Sequence, residues 1–131
     1  MEIVIHSDTK FLSEVEAFIS FCLSEEDMND EFKNNIIVSI IEAVTNAIIH
    51  GNKLIYSRKV KVKVKFIAHK FVVEVQDEGN GFNYKNVPNP LCDERLLEPN
   101  GRGLFIMNKL AESVVHTGNG NTVKLTFNLK K

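Results

Sequence analysis

Glu42, Asn46 and His50 recur at intervals of four within EAVTNAIIHGNK (42 to 53), so a helix over this segment stacks them on one stripe. Around them stand Ile40, Ile41, Ala43, Val44, Ala47, Ile48 and Ile49, the composition of a core. A carboxylate and a carboxamide in apolar surroundings are costly unless something binds them: a metal ion, a polar ligand, or both. Two further segments carry chemistry. In DEGNGF (77 to 82), Asp77 closes an apolar run, and Gly79 and Gly81 permit close approach of backbone to a ligand. A carboxylate placed there can accept a hydrogen bond from an exocyclic amine such as that of adenine. In NGRGLFIM (100 to 107), Gly101 and Gly103 precede a helical pattern, where free N–H groups and the helix dipole favour a phosphate, with Arg102 between them. Neither the dinucleotide fingerprint nor the G-x-x-x-x-G-K-[ST] phosphate loop is matched. An oxygen-preferring ion such as Mg²⁺ needs few protein ligands beside phosphates and waters, and Asn46 can be one; Glu42, one turn earlier, can serve as a general base.

The elements that must position these residues follow from periodicity. Residues 2 to 6 predict a first strand, and Ser7 or Asp8 an N-cap for a helix over 8 to 23 with Phe11, Leu12, Val15, Phe18, Ile19 and Cys22 on one side. A second helix is predicted from about Glu31 to His50, stopped by Gly51 as a C′ glycine. KVKVKVKF (59 to 66) alternates strictly, placing Val60, Val62, Val64 and Phe66 toward a core and four lysines toward water. A turn near His69 and Lys70 leads to an antiparallel neighbour over 71 to 77, where Glu74 can face a lysine. Positions 78 to 103 hold all three prolines and four of the seven glycines without hydrophobic periodicity, the pattern of a long functional loop. A helix over 104 to 113, a strand within 112 to 117 and a closing strand over 122 to 129 complete the pattern, with Gly118 and Gly120 as hairpin punctuation. The fold class expected is an α/β two-layer sandwich, a mixed or antiparallel sheet with helices on one face.

Composition bounds the remainder. The 131 residues suit one domain, and a net charge of −1 supplies no global attraction to nucleic acid or an anionic membrane. Two isolated cysteines, Cys22 and Cys92, fit neither a disulfide framework nor a zinc site. The N-terminus has no signal-peptide pattern, and the apolar stretch 36 to 49 is interrupted by polar residues and too short to span a bilayer. A cytoplasmic protein is expected.

Taken together, the three segments resemble the boxes of the GHKL ATPase/kinase superfamily, whose Bergerat fold binds ATP. EAVTNAIIHGNK is similar to the N box of the bacterial anti-sigma-factor serine/threonine kinases, and GRGLFIM to that group's G-x-G segment. The resemblance covers essentially all of residues 1 to 131 as a single histidine-kinase-like ATPase domain. It implies Glu42 as catalytic base, Asn46 as Mg²⁺ ligand, and Asp77 as the adenine contact, with Gly79 and Gly81 shaping that pocket and Thr122 supporting it. Gly101, Arg102 and Gly103 would contact phosphates at the end of an ATP lid over about 83 to 100, and His50 and Lys53 would approach them from the N box. Helix C-termini attract histidine for dipole reasons as well. Two departures stand out: Asn121 separates Gly120 from Thr122 where the family has Gly directly before Thr, and the lid has no lysine cluster.

The function so implied is an anti-sigma regulatory factor that phosphorylates a STAS-domain anti-anti-sigma partner with ATP and Mg²⁺ and sequesters a sigma factor, as a homodimer. The alternatives are a nucleotide-binding regulatory module without turnover and a histidine-kinase catalytic domain. Against the last stand Glu42, where that class carries Asn, and the lack of a helix pair bearing a phospho-accepting histidine.

Overall fold

The computed structural model describes residues 1–79, 111–118 and 121–129. Five strands, β1 (Glu2–His6), β2 (Lys59–Ile67), β3 (Lys70–Gln76), β4 (Ser113–Thr117) and β5 (Thr122–Asn128), form one sheet in the order β1-β2-β3-β5-β4. Every pairing is antiparallel, which resolves the expected mixed or antiparallel sheet. Two helices, α1 (Leu12–Cys22) and α2 (Asp30–Asn46), pack on one face. Val15 and Ile19 of α1 and Ile36, Ile40 and Val44 of α2 meet Val60, Val62, Phe71, Val73, Leu125 and Phe127 of the sheet, all fully buried. The sequence separation of these contacts comes from the register: Val62 lies opposite Val75, and Val73 opposite both Val64 and Leu125, so one apolar stripe crosses the strands.

Side-chain acceptors serve otherwise unpaired N–H groups at the 3₁₀ turn that precedes α1 and at the start of α2, while α1 itself begins at Leu12 without a side-chain cap. Asp8 accepts from the Lys10 N–H (2.9 Å) at the short 3₁₀ turn Thr9–Phe11 that leads into α1, and Asn29 accepts from the Phe32 N–H (2.7 Å) at α2. With the turn that follows it, α2 extends over Asp30–Gly51, 22 residues, longer than its apolar stretch suggests and sufficient by length and composition to cross a membrane. In this fold it is the central core helix, with Ile36, Ile40, Val44 and Ile48 fully buried.

Two expectations need correction. Phe66 does not reach the core: it is 41% exposed at the far end of β2 and packs its ring on Phe71 at 5.0 Å. Alternation fixes the face of a residue but not whether a helix covers that part of the face. Gly51 does not stop the second helix; the helix passes through it and reverses only at Lys53 and Leu54 (φ +54° and +60°), where the Leu54 N–H bonds the Ile48 carbonyl at 2.8 Å.

Other readings stand with sharper detail. Glu74 lies between Lys63 and Lys124 on its two neighbours. The β2–β3 hairpin turns through Ala68 and His69, with Ala68 at φ +54°. An alanine in the left-handed region carries a cost that glycine avoids. Ala68→Gly is therefore expected to raise the unfolding free energy by about 0.5 kcal/mol, the local gain net of added unfolded-state freedom, as measured by urea denaturation. Gly118 (φ +57°) does serve as hairpin punctuation before β5.

Candidate functional site

The polar groups of α2 divide into two kinds. Ser39 and Thr45 donate their hydroxyls to helix carbonyls four residues back, Asn35 O at 2.9 Å and Ile41 O at 2.7 Å. Glu42 and Asn46 are different because their side-chain oxygens need donors, and the preceding turn of a helix offers only carbonyls. Glu42 Oε2 and Asn46 Oδ1 are both buried and have no hydrogen-bond partner among the described residues. Burial pushes the Glu42 carboxyl above its ordinary range. Two buried acceptors one turn apart on a core helix, without partners among the described residues, call for an explanation beyond packing.

After Asn46 the helix widens into a π turn, Ala47–Gly51, closed by the Asn52 N–H on the Ala47 carbonyl at 2.8 Å. Such turns are rare and frequent at functional sites. The widened turn leaves His50 exposed while its stripe-mates Glu42 and Asn46 keep buried oxygens. Lys53 is exposed, in the left-handed conformation at the helix reversal.

The π turn presents Gly51 to the end of β3. A Cβ on Gly51 would overlap the Asp77 carboxylate, and a Cβ on Gly79 would overlap the Gly51 carbonyl. The glycine of the N box and the first glycine after Asp77 are thus one close-packed contact, required by proximity and not by φ. Asp77 is 6% exposed, and its carboxylate accepts from the Gly79 N–H at 2.8 Å. Burial pushes the Asp77 carboxyl up, while that N–H and the Arg58 charge pull part of the shift back. The Asp77 N–H bonds the Asn121 carbonyl at 2.9 Å, and Thr122 lies opposite Gln76. The end of β3, the start of β5 and the end of α2 therefore assemble at one edge of the sandwich.

The role of Asn52 is not legible in the sequence, and Ser7, one of the two N-cap candidates, is not the cap: Asp8 is, and the Ser7 hydroxyl donates to the Arg58 carbonyl instead. Asn52 follows Gly51 at a helix end, where Asn usually signals an exposed turn, yet it is fully buried. Its Nδ2 donates to Ser7 Oγ (2.7 Å) and the Lys59 carbonyl (3.0 Å), and its Oδ1 accepts from the Glu78 N–H (2.8 Å). Only a polar residue inside an apolar-flanked helix end hints at this, and that signal is shared by ordinary turns. Gly81, Gly101, Arg102, Gly103 and the 83 to 100 lid lie outside the described residues, as do most of the 104 to 113 helix and Gly120.

The donor set fits a hard divalent cation held mainly by a ligand. Among the described residues, no group of three or more His, Cys, Asp or Glu side chains could hold a metal by itself. The neutral buried oxygen of Asn46 suits Mg²⁺, which keeps waters and takes phosphate oxygens in preference to a protein cage.

Comparison with known proteins gives a consistent picture. The model of the histidine kinase-like ATPase domain matches residues 5–127. The chain is 31% identical over 137 residues to the anti-sigma F factor of Bacillus velezensis, covering 97% of this chain and 93% of that protein. It is 23% identical over 143 residues to the serine-protein kinase RsbW of Staphylococcus aureus (strain MRSA252), covering 100% of this chain and 87% of the relative. Among solved structures, the histidine kinase domain of the Erythrobacter litoralis EL346 blue-light activated histidine kinase superposes with a TM-score of 0.58 at 20% identity, over 92% of this chain and 60% of that one. At that identity the likeness concerns the fold.

Proposed function

The chain belongs to the histidine kinase-like ATPase domain family, and from that premise we propose that it is an anti-sigma factor with ATP-dependent serine/threonine protein kinase activity. Its substrate in this reading is a STAS-domain anti-anti-sigma protein, and its alternative partner a sigma factor, with the active form a cytoplasmic homodimer. The observation that carries the kinase reading is the pair of buried oxygens, Glu42 Oε2 and Asn46 Oδ1, on adjacent turns of α2 and without hydrogen-bond partners among the described residues.

Phosphoryl transfer asks a protein for positioning and charge, with little covalent chemistry of its own. Asp77 receives the adenine amine with its carboxylate, braced against Gly51. Gly81 shapes the same pocket and Thr122 supports it from β5. Asn46 offers its oxygen to Mg²⁺, which supplies charge neutralisation on the phosphates when bound. Gly101, Arg102 and Gly103 hold phosphate oxygens, and His50 and Lys53 add positive charge or donors from the helix end. Glu42 orients the acceptor hydroxyl and takes its proton; the rise that burial imposes on its carboxyl makes it a better base near neutral pH. A glutamate in that role also favours hydroxyl acceptors over histidine, which needs no such base.

Incubation of the purified chain with γ-labelled ATP, Mg²⁺ and a STAS-domain protein tests this reading. Label on a serine or threonine of the partner is the expected result. A tight nucleotide complex with no transfer to any such partner would overturn it in favour of a binding module without turnover.

A further inference from the structure

Four chain segments that are remote in sequence meet at the buried side chain of Asn52. Ser7 follows β1, Arg58 precedes β2 and Lys59 opens it, Glu78 lies just beyond β3, and Asn52 itself follows the π turn. The Asn52 carboxamide uses both donors and its acceptor here, and the knot closes through two further bonds. Ser7 Oγ donates to the Arg58 carbonyl at 2.8 Å, and the Glu78 carboxylate accepts from the Lys59 N–H at 3.0 Å. Residue 78 is thus held at both its backbone N–H and its side chain. It is the link between Asp77 and Gly79, and those two residues close on Gly51, the neighbour of Asn52. We infer that Asn52 is a positioning residue for base recognition: its carboxamide locks the 77–79 segment onto the π turn and so sets the Asp77 carboxylate for an adenine amine. The inference rests on the proposed function for the identity of the ligand and goes beyond it in assigning this residue.

A carboxylate at this place selects the base by charge. Adenine presents an N6 amine to it, and guanine presents an O6 acceptor that the carboxylate repels. Discrimination therefore depends on where Asp77 stands, and a loosened 77–79 segment loses preference before it loses general affinity. Asn52→Asp keeps the shape and the acceptor for the Glu78 N–H but removes both donors and sets an oxygen against the Lys59 carbonyl. Leaving such buried groups unpaired is expected to weaken ATP binding about ten- to a hundredfold.

The test is the ratio of ATP to GTP affinity by calorimetry. In Asn52→Asp the ratio is expected to collapse, because ATP affinity falls and GTP affinity does not. A purely structural role weakens both nucleotides alike, and an unchanged ratio in folded Asn52→Asp would overturn the inference. Glu78→Ala removes only the exposed tie to Lys59 and leaves the core intact. Its ratio is expected to fall about threefold to tenfold, and if Asn52→Asp does not fold, an unchanged ratio in Glu78→Ala overturns the inference by itself. A parent protein with no preference for ATP fails the adenine assignment first, and the inference with it, before any variant is compared.

Discussion

Glu42→Ala is expected to bind ATP as the parent does and to transfer phosphate about 10²–10⁴-fold more slowly, the usual loss when a positioned general base is removed. Binding survives because Asp77, Gly79 and Gly51 form a separate contact at the end of β3, built without Glu42. Undiminished phosphorylation of the partner by this variant would remove Glu42 from the base role. The same residue predicts a cost in stability. Burial raises the Glu42 carboxyl in the folded state, so the folded protein holds its proton more tightly than the unfolded chain does. Stability is then greatest below the unfolded-state pKa and declines as pH rises through the raised folded-state value. Glu42→Gln, which has no charge to bury, should melt above the parent near neutral pH, and the difference should vanish on acidification. A pH series of thermal midpoints without nucleotide measures it, and a difference independent of pH would contradict the account.

Gly51→Ala and Gly79→Ala are expected to damage nucleotide binding by different routes. At Gly51 the added methyl meets the end of the Asp77 side chain, 2.8 Å from its farther oxygen Oδ1, and the carboxylate can rotate away. The protein stays folded and loses the adenine contact, with ATP affinity down about tenfold to a hundredfold, as for a charged hydrogen bond. At Gly79 the methyl meets the Gly51 backbone, 2.6 Å from its carbonyl carbon, and backbone cannot step aside. That variant should lose about 2–3 kcal/mol of stability by overpacking as well as ATP binding. Urea denaturation beside calorimetry separates the two. Equal stability loss in both variants would show that the Gly51 contact is not between a glycine and a mobile carboxylate.

Much of this arrangement was legible in the residues. Strict alternation in 59 to 66 and the closing pattern of 122 to 129 placed two strands of the sheet, since period-2 patterning is local and survives tertiary context. The cap residues Asp8, before the 3₁₀ turn, and Asn29, before α2, act by a mechanism confined to three or four residues; the sequence offers Ser7 or Asp8 for the first, and the structure uses Asp8. Glu42 and Asn46 stand out because their polarity conflicts with their neighbours, and the structure keeps that conflict as two buried oxygens without partners among the described residues. Phe66 was misplaced because a strand pattern carries no information about where the covering helix ends.

Gly51 and Asn52 show where local reasoning stops. By itself the sequence determined which elements form, which face of each is apolar, and which residues are too polar for their surroundings, because these depend on neighbours within a few positions. A glycine before an asparagine at a helix end has the same local chemistry whether it terminates the helix or receives another strand. Only the tertiary structure decided that Gly51 continues a π turn under the Asp77 carboxylate, and that Asn52 is buried among Ser7, Lys59 and Glu78. The partners that give these two residues their roles lie between 7 and 45 positions away at Lys59 and Ser7, with residues 77–79 in between, so no spacing rule along the chain encodes the contact.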